Sequence, residues 1–444
     1  MILHFTTLGC KVNQYETSAL QTLLIERGHS LAKAGECADV VVVNTCAVTS
    51  ESVRKSRQAI RKAKAANPGA ITAVCGCFSE LSPEEVADLE ADLIHGSTDR
   101  LAFVEALETL CRGRCPHRPV SSNPRRSMSA PPTKAADQQE FELLPPGSLD
   151  GRTRALLKVQ DGCENFCTYC IIPYARGPVR SIPLNKAIEQ VQQLVADGYK
   201  ELVITGIEIS SYGRDLADGE DIVDLIEAVC KAAPNLRIRL GSLEPRTITE
   251  DFIARLHTYP NLCPHFHLSL QSGSDEVLHR MGRHYDTAQY LESVTRLRAA
   301  FPDCAITTDL IVGFPGESAA DFEKSLEFMR KCGFSAIHVF PYSQRKGTKA
   351  AEMEGQIPKA ERTRRAKLAR EEAGKLQQAF RQAQLGKTVS VLFESEEDGK
   401  ASGHTKNYCA VQVQGENLQN QEHLVRLYDR SGEILLGELI SFGE

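Results

Sequence analysis

Apolar runs alternate with amphipathic helical stretches over residues 1–111. Runs at 2–7, 40–44 and 71–74, with a weaker one at 93–95, predict strands, and helical spacing fills 14–27, 50–66 and 99–110. That alternation predicts an α/β fold, here a small Rossmann-like parallel sheet. Between 112 and 151 the periodicity stops and Pro, Ser, Arg and Gln accumulate, which predicts a long mobile linker. The alternation resumes over 152–345, with strands expected at 155–160, 201–205, 237–240, 265–270, 305–311 and 336–340. These βα units fall short of a full barrel and predict a partial (β/α)6 barrel. A long polar helix is expected at 358–385, inside a basic connecting segment 346–385. Short alternating runs at 388–393, 410–413, 423–428 and 434–440 predict a small antiparallel β-barrel over 386–444.

Composition narrows the class. The 444 residues are 42% hydrophobic and 25% charged, as in a globular protein. No apolar run approaches the roughly 20 residues that a spanning helix needs. The start, Met1-Ile2-Leu3-His4-Phe5, has neither a basic region nor a cleavage site, so a cytoplasmic protein with no membrane partner is expected. The net charge of −6 excludes a uniformly basic coat, yet residues 345–381 carry eleven Lys or Arg against five Asp or Glu. This asymmetry points to a polyanion, against the plainer reading of a solvated helix face. Fifteen cysteines, an odd number in a long chain, favour metal or redox use over a disulfide framework.

The cysteines carry the sharpest signal. Cys163, Cys167 and Cys170 are spaced C-x3-C-x2-C directly after the first expected barrel strand. Three thiolates hold three corners of a [4Fe–4S] cube and leave one iron open to a small molecule. Cys10, Cys46 and Cys77 each follow one of the first three expected strands. In an open parallel sheet the carboxyl ends of the strands share one edge, so the fold brings these three together as a second tri-thiolate site. A single cysteine is more often a small buried hydrophobe, but three repeats at equivalent strand ends argue otherwise. Cys75 belongs to its strand and is read as structural, and Cys111 and Cys115, spaced C-x3-C without a second pair, as incidental.

With Pro173-Tyr174-Ala175-Arg176-Gly177 after the central cysteine loop, this set resembles the radical S-adenosylmethionine (SAM) methylthiotransferases. The resemblance covers nearly the whole chain apart from the linker. It implies two [4Fe–4S] clusters and SAM, with the open iron holding the amino and carboxylate groups of SAM, which one electron cleaves to a 5′-deoxyadenosyl radical. The second cluster delivers sulfur. By the same resemblance Tyr169, Val312 and Gly313 flank the adenine of SAM, Ser242, Glu244, Gln271 and Phe340 are further contacts, and Arg176 pairs with a carboxylate. The final barrel resembles the TRAM domain, an RNA-binding module, with Lys387, Lys406, Asn407, Tyr408 and Arg426 as candidate RNA contacts.

Within this family the segment Gly9-Cys10-Lys11-Val12-Asn13 resembles the branch acting on N6-threonylcarbamoyladenosine of tRNA, where the isopentenyladenosine branch reads Gly-Cys-Gln-Met-Asn. The expected activity is therefore insertion of sulfur and methyl at C2 of that nucleoside beside the anticodon. The expected partners are a tRNA anticodon stem-loop, a reductant of flavodoxin or ferredoxin type and a sulfur donor, with the protein a monomer. Alternatives are a methylthiotransferase acting on isopentenyladenosine or on a ribosomal-protein aspartate, and a non-catalytic iron–sulfur protein that binds RNA. A zinc or disulfide protein is the plainest alternative.

Overall fold

In the computed structural model, residues 1–113, 128–129, 135, 140–147 and 153–440 are described. The first region is a parallel six-stranded sheet with order β2-β1-β3-β4-β5-β6. Its strands are β1 (Ile2–Thr7), β2 (Ser30–Leu31), β3 (Val40–Thr45), β4 (Ile71–Gly76), β5 (Leu93–Ile94) and β6 (Met128–Ser129). Helices Lys11–Glu26, Ser50–Ala66 and Arg100–Gly113 stand where helical spacing places them. The central strand β3 is buried along its whole length, as its Val40-Val41-Val42-Val43 run requires of a strand covered on both faces.

Two features correct the expected linker. Met128 and Ser129 pair in parallel with Leu93 and Ile94, so part of 112–151 completes the first sheet. Residues 141–147 also pack down, with the Leu144 carbonyl accepting from Tyr15 Oη at 3.0 Å and from Gln190 Nε2 at 2.8 Å. Those bonds tie the segment to helices on both sides of it. Cys115 and the rest of the expected linker lie outside the described residues.

The central region is an α/β arrangement of parallel strands in sequential spatial order. Strands β7 (Arg154–Lys158), β10 (Glu201–Thr205) and β11 (Arg237–Leu240) form one sheet with order β11-β10-β7. A short antiparallel pair, β8 (Gln160–Asp161) with β9 (Arg180–Ser181), brackets the cysteine loop. The other sheet runs β12 (Ser242–Leu243), β13 (His265–Leu268), β14 (Ala305–Val312) and β15 (Ala336–Pro341). A bridge from Ile238 to Leu262 joins the two halves, so the sixfold partial barrel expected from the alternation is present but split. Its core is one continuous apolar cluster that reaches from Leu157 to Ala373.

Helix Lys359–Gln382 then leads to a closed barrel of β16 (Thr388–Glu397), β17 (Lys400–Thr405), β18 (Ala410–Gln414), β19 (Glu422–Ser431) and β20 (Ile434–Leu439). The strands are not all antiparallel as expected, because β18 pairs in parallel with β20 to close the barrel. The strand Lys400–Thr405 went unpredicted: its Ala-Ser-Gly-His segment carries little apolar alternation, yet Ala401 and Gly403 sit where only small groups fit.

The three regions are tightly joined. Ser50 at the start of a first-region helix bonds to Ser343 Oγ at 3.1 Å and to the Gln344 carbonyl at 3.0 Å, just past β15. Helix Lys11–Glu26 packs beside β7. The first region therefore spans the gap between the edge strands of the partial barrel. The C-terminal barrel closes the opposite end through Arg154, Arg237 and Arg239, which come from the strands β7 and β11.

Candidate active site

The central cysteine loop is shaped by its backbone. The Cys163 N–H donates to the Gly177 carbonyl at 3.0 Å, and the Thr168 N–H to the Met281 carbonyl at 2.9 Å. Gly162 has φ of 74°, and a Cβ there would meet the Pro178 carbonyl at 1.7 Å, so glycine is required for the close approach. Donors converge on two of the sulfurs: Arg283 Nη1 lies 3.1 Å from Cys167 Sγ, and the Ile172 N–H donates to Cys170 Sγ at 3.5 Å. Burial pushes the thiols of Cys163 and Cys170 up to about 12, so both stay protonated until a metal displaces the proton.

Cys10, Cys46 and Cys77 follow β1, β3 and β4 and lie near one another. Burial raises the thiols of Cys10, Cys46 and Cys77, and each is near enough to another of the three to be raised further by it. Cys75 sits in the apolar core on one face of the sheet, with Leu3, Phe103 and Leu107, whereas Cys77 begins helix Cys77–Leu81 on the other side. Cys10 keeps part of its surface exposed to solvent, although the protein around it raises its thiol. Cys111 ends its helix half-buried against the same core as Cys75.

Both trios fit iron–sulfur clusters by donor chemistry. Each offers three thiols, and each has an arginine N–H aimed at a sulfur: Arg283 at Cys167 and, at 3.2 Å, Arg176 Nε at Cys77. Among the described residues no three His, Cys, Asp or Glu are gathered tightly enough to hold one metal ion. A cube places its thiolates on separate irons, so the fit rests on the donor sets and not on a single-ion cage.

Arg176 does not stand where a cofactor carboxylate would need it. It is fully buried, with Nη1 on Glu16 and 3.4 Å from Asp161, and Nη2 2.6 Å from Asn13 Oδ1. Its donors are consumed by the first region, and it reaches the second cysteine trio instead. Glu16 accepts also from Arg100 at 2.6 Å and Lys158 at 3.2 Å, while Asp161 pairs with Lys158 at 2.5 Å. Desolvation opposes charge on Glu16, but the surrounding Arg100, Arg176 and Lys158 prevail and hold its carboxyl well below the usual range.

The other expected contacts divide. Glu244 is buried at the cysteine loop, accepting from Arg283 Nη2 at 2.9 Å and Asn165 Nδ2 at 3.3 Å. Tyr169 packs with Met281, Phe314 and Tyr342 beside that loop. Gln271 takes φ of 67°, rare for a side-chain-bearing residue, and its backbone bridges to β14 through Asp309 and Ile311. Ser242 and Phe340 are exposed, Ser242 onto a cavity of ≈540 Å³ that it shares with His267, Asp309 and Tyr408. Val312 is fully buried, and Gly313 is covered by Arg362, which a Cβ on the glycine would meet at 2.3 Å. The space beside that glycine belongs to helix Lys359–Gln382.

Much of the expected RNA surface serves docking. Lys387 Nζ pairs with Asp303 at 2.7 Å, Lys406 Nζ donates to the Pro260 carbonyl at 3.0 Å, and Asn407 Nδ2 donates to the Asp303 carbonyl at 3.1 Å. Tyr408 lies under the guanidinium groups of Arg239 and Arg154, at 4.6 and 5.0 Å. Among the described residues Arg426 alone of the five is exposed with no side-chain hydrogen bond or ion pair, beside Tyr428, which is 58% exposed. On the basic helix, Arg362, Arg365 and Arg370 donate to the carbonyls of Tyr342, Glu317 and Val339, so part of its charge fastens it to the barrel.

Two residues, Arg283 and Glu16, escaped sequence reasoning. Arg283 has no diagnostic spacing. Glu208, beside Glu244 and Cys163, is raised by burial and by the Glu244 charge. Glu16 had a signal: with Asn13 it interrupts the buried stripe Val12, Tyr15, Ala19 and Leu20 of its helix.

Residues 157–329 match the Radical SAM superfamily, and residues 3–96 match Uncharacterized protein family UPF0004. The chain is 37% identical to threonylcarbamoyladenosine tRNA methylthiotransferase MtaB of Thermotoga maritima over 429 residues, 96% of this chain and 94% of that protein. It is 38% identical to the protein of the same name from Bacillus subtilis, over 93% of this chain and 90% of the other. It is 32% identical to tRNA-2-methylthio-N(6)-dimethylallyladenosine synthase of Symbiobacterium thermophilum, over 99% and 94%. Among solved structures, the radical S-adenosylmethionine methyltransferase TsrM from Kitasatospora setae aligns with a TM-score of 0.57 at 15% identity, covering 79% of this chain and 77% of that one, which shows a shared fold. With identity above 30% along almost its entire length, this chain is a transferase and belongs to the radical SAM methylthiotransferase family.

Proposed function

We propose that the protein converts N6-threonylcarbamoyladenosine of tRNA, beside the anticodon, to its 2-methylthio derivative. The observation that carries this is the link between the two cysteine trios through Arg176, whose guanidinium reaches Cys77 on one side and Asp161, just before the central loop, on the other. The relatives named for the threonylcarbamoyl substrate, at 37% and 38% identity, support that substrate over the isopentenyl one.

Superfamily membership implies a [4Fe–4S] cluster, for which Cys163, Cys167 and Cys170 are the ligands, and SAM. Cys10, Cys46 and Cys77 are assigned to a second cluster. When bound, these groups supply a carbon radical and sulfur, which an unactivated ring C–H needs because acid–base chemistry cannot replace it. The protein does the rest. Arg283 holds Cys167 and Glu244 in fixed relation, and Glu244 fixes Asn165 of the loop. Tyr169, Ser242, Gln271, Val312, Gly313 and Phe340 remain assigned to the SAM pocket and its approach. The first region covers the gap in the partial barrel and so excludes water from the reacting atoms. The C-terminal barrel, TRAM-like in its closure, presents Arg426 and Tyr428 to the RNA.

The test is nucleoside mass analysis of tRNA from a strain lacking the gene, together with the anaerobically reconstituted protein given reductant, SAM and a sulfide source. Loss of the 2-methylthio-threonylcarbamoyl nucleoside in the strain and its formation in vitro are expected. An unchanged nucleoside profile would sink the substrate assignment.

A further inference from the structure

A cavity of the partial barrel is lined by a lysine that no acidic side chain pairs with among the described residues. Lys11 follows Cys10 at the start of helix Lys11–Glu26, and its side chain lines the ≈540 Å³ cavity with Ser242, His265, His267, Asp309 and Tyr408. No hydrogen bond or ion pair engages its ammonium among the described residues. Its side chain is exposed to the cavity, and Arg239 and Arg154 stand among its charged neighbours. Glu201, the acid among these neighbours, is already taken by Arg239 at 2.7 Å and Arg154 at 3.2 Å. A second polar atom in the same cavity is also unsatisfied, because Nδ1 of the buried His265 has no partner. An ammonium that is exposed to a cavity beside other cations, with a buried ring nitrogen unsatisfied next to it, favours a bound anion.

The charged neighbours of Lys11 mark the amino-terminal end of the barrel strands. Arg154 and Glu201 are the first residues of their strands, whereas the Cys163 to Cys170 loop follows the carboxyl end of β8. A carboxylate at Lys11 therefore belongs to a ligand entering the bore of the partial barrel, away from the open corner of the cluster. We infer that Lys11 binds the carboxylate of the amino-acid group on the modified nucleoside, with His265 Nδ1 as a second contact to that group. The inference rests on the threonylcarbamoyladenosine reading and adds to it the residue that selects an acidic substituent.

The test uses full-length, anaerobically reconstituted protein and three anticodon stem-loops. One carries threonylcarbamoyladenosine, one its methyl ester and one unmodified adenosine. Binding is read by fluorescence anisotropy without reductant, and product by mass spectrometry with it. Wild type is expected to favour the acid over the ester by about 10- to 100-fold in affinity and kcat/KM, the factor carried by one charged hydrogen bond. Lys11→Gln should abolish that preference and Lys11→Arg should keep part of it, with iron content and unfolding temperature reporting that each variant is folded. Wild type that treats acid and ester alike overturns the inference, even if Lys11→Gln fails to fold. A Lys11→Gln protein that keeps the preference, or that loses SAM binding in its place, also overturns it. Wild type that modifies neither threonylcarbamoyl form overturns the underlying substrate reading instead.

Discussion

Arg176 Nε lies 3.2 Å from Cys77 Sγ, although the two residues stand 99 positions apart and in different regions of the chain. The guanidinium reaches the sulfur because Glu16, Asn13 and Asp161 hold its other nitrogens. Glu16 in turn is held by Arg100 from its own region and Lys158 from the central one. A buried charged cluster thus fixes the angle at which the second cysteine trio faces the barrel.

Replacing Arg176 by Met should leave Glu16 short of a cation in a dry site, at a cost of about 3–5 kcal/mol in unfolding free energy. Lys at this position restores charge but cannot span Glu16, Asn13 and Cys77 together, so it should recover only part of the loss. Chemical denaturation of the two variants beside wild type checks the ordering. Equal stability of Arg176→Met and wild type would show the cluster to be dispensable.

Arg283 ties Cys167 Sγ to Glu244, and outer contacts of this kind typically change metal affinity or activity about 10- to 100-fold. Arg283→Ala is therefore expected to lower iron occupancy of the central site and SAM cleavage together. Arg283→Lys should retain occupancy better than Ala does. Iron assay and 5′-deoxyadenosine release, measured on the same preparations, report the two effects.

Glu317 accepts from the N–H groups of Gly313 and Phe314 and faces Arg365 at 3.5 Å. Burial nevertheless prevails and pushes its carboxyl from an ordinary 4.5 up to about 7. Because the folded-state value is raised, protonation favours the folded form. The contribution of Glu317 is full below about 4.5 and is lost as pH rises through about 7. Glu317→Gln should flatten the pH dependence of unfolding free energy in that window, by up to roughly 3 kcal/mol. A variant whose profile parallels wild type would assign the charge balance to Arg365 or Asp321 instead.

The strand positions and the alternation of strands with helices were legible because they follow from periodicity, and the shared edge of parallel strands is why Cys10, Cys46 and Cys77 lie near one another. What lay beyond reach were contacts between regions. Nothing local marks Arg283 as a partner of Cys167, or turns Tyr408 toward Arg154 and Arg239 rather than toward RNA. Arg176 stood inside a recognised segment, yet its partner Glu16 is contributed by a helix 160 residues earlier. The short strand Met128–Ser129 was hidden for a related reason: two residues carry no period, and only the edge of β5 gives them a partner.

The choice of Cys77 over Cys75 gives the clearest separation of the two trios. The two cysteines stand two residues apart, but Cys75 belongs to β4 and falls among Leu3, Leu93 and Phe103, whereas Gly76, with φ of 103°, turns the chain so that Cys77 opens helix Cys77–Leu81 on the other side of the sheet. Cys75→Ala should keep both clusters, at about eight iron atoms per chain, and cost only the packing of one small side chain. Cys77→Ala should fall to about four iron atoms while still releasing 5′-deoxyadenosine, because Cys163, Cys167 and Cys170 are untouched. Cys163→Ala should show the converse, losing SAM cleavage and keeping the second cluster. Equal loss of iron and cleavage in Cys77→Ala would mean that the trios act as one unit through Arg176, and iron loss in Cys75→Ala would reverse the ligand assignment at this strand end.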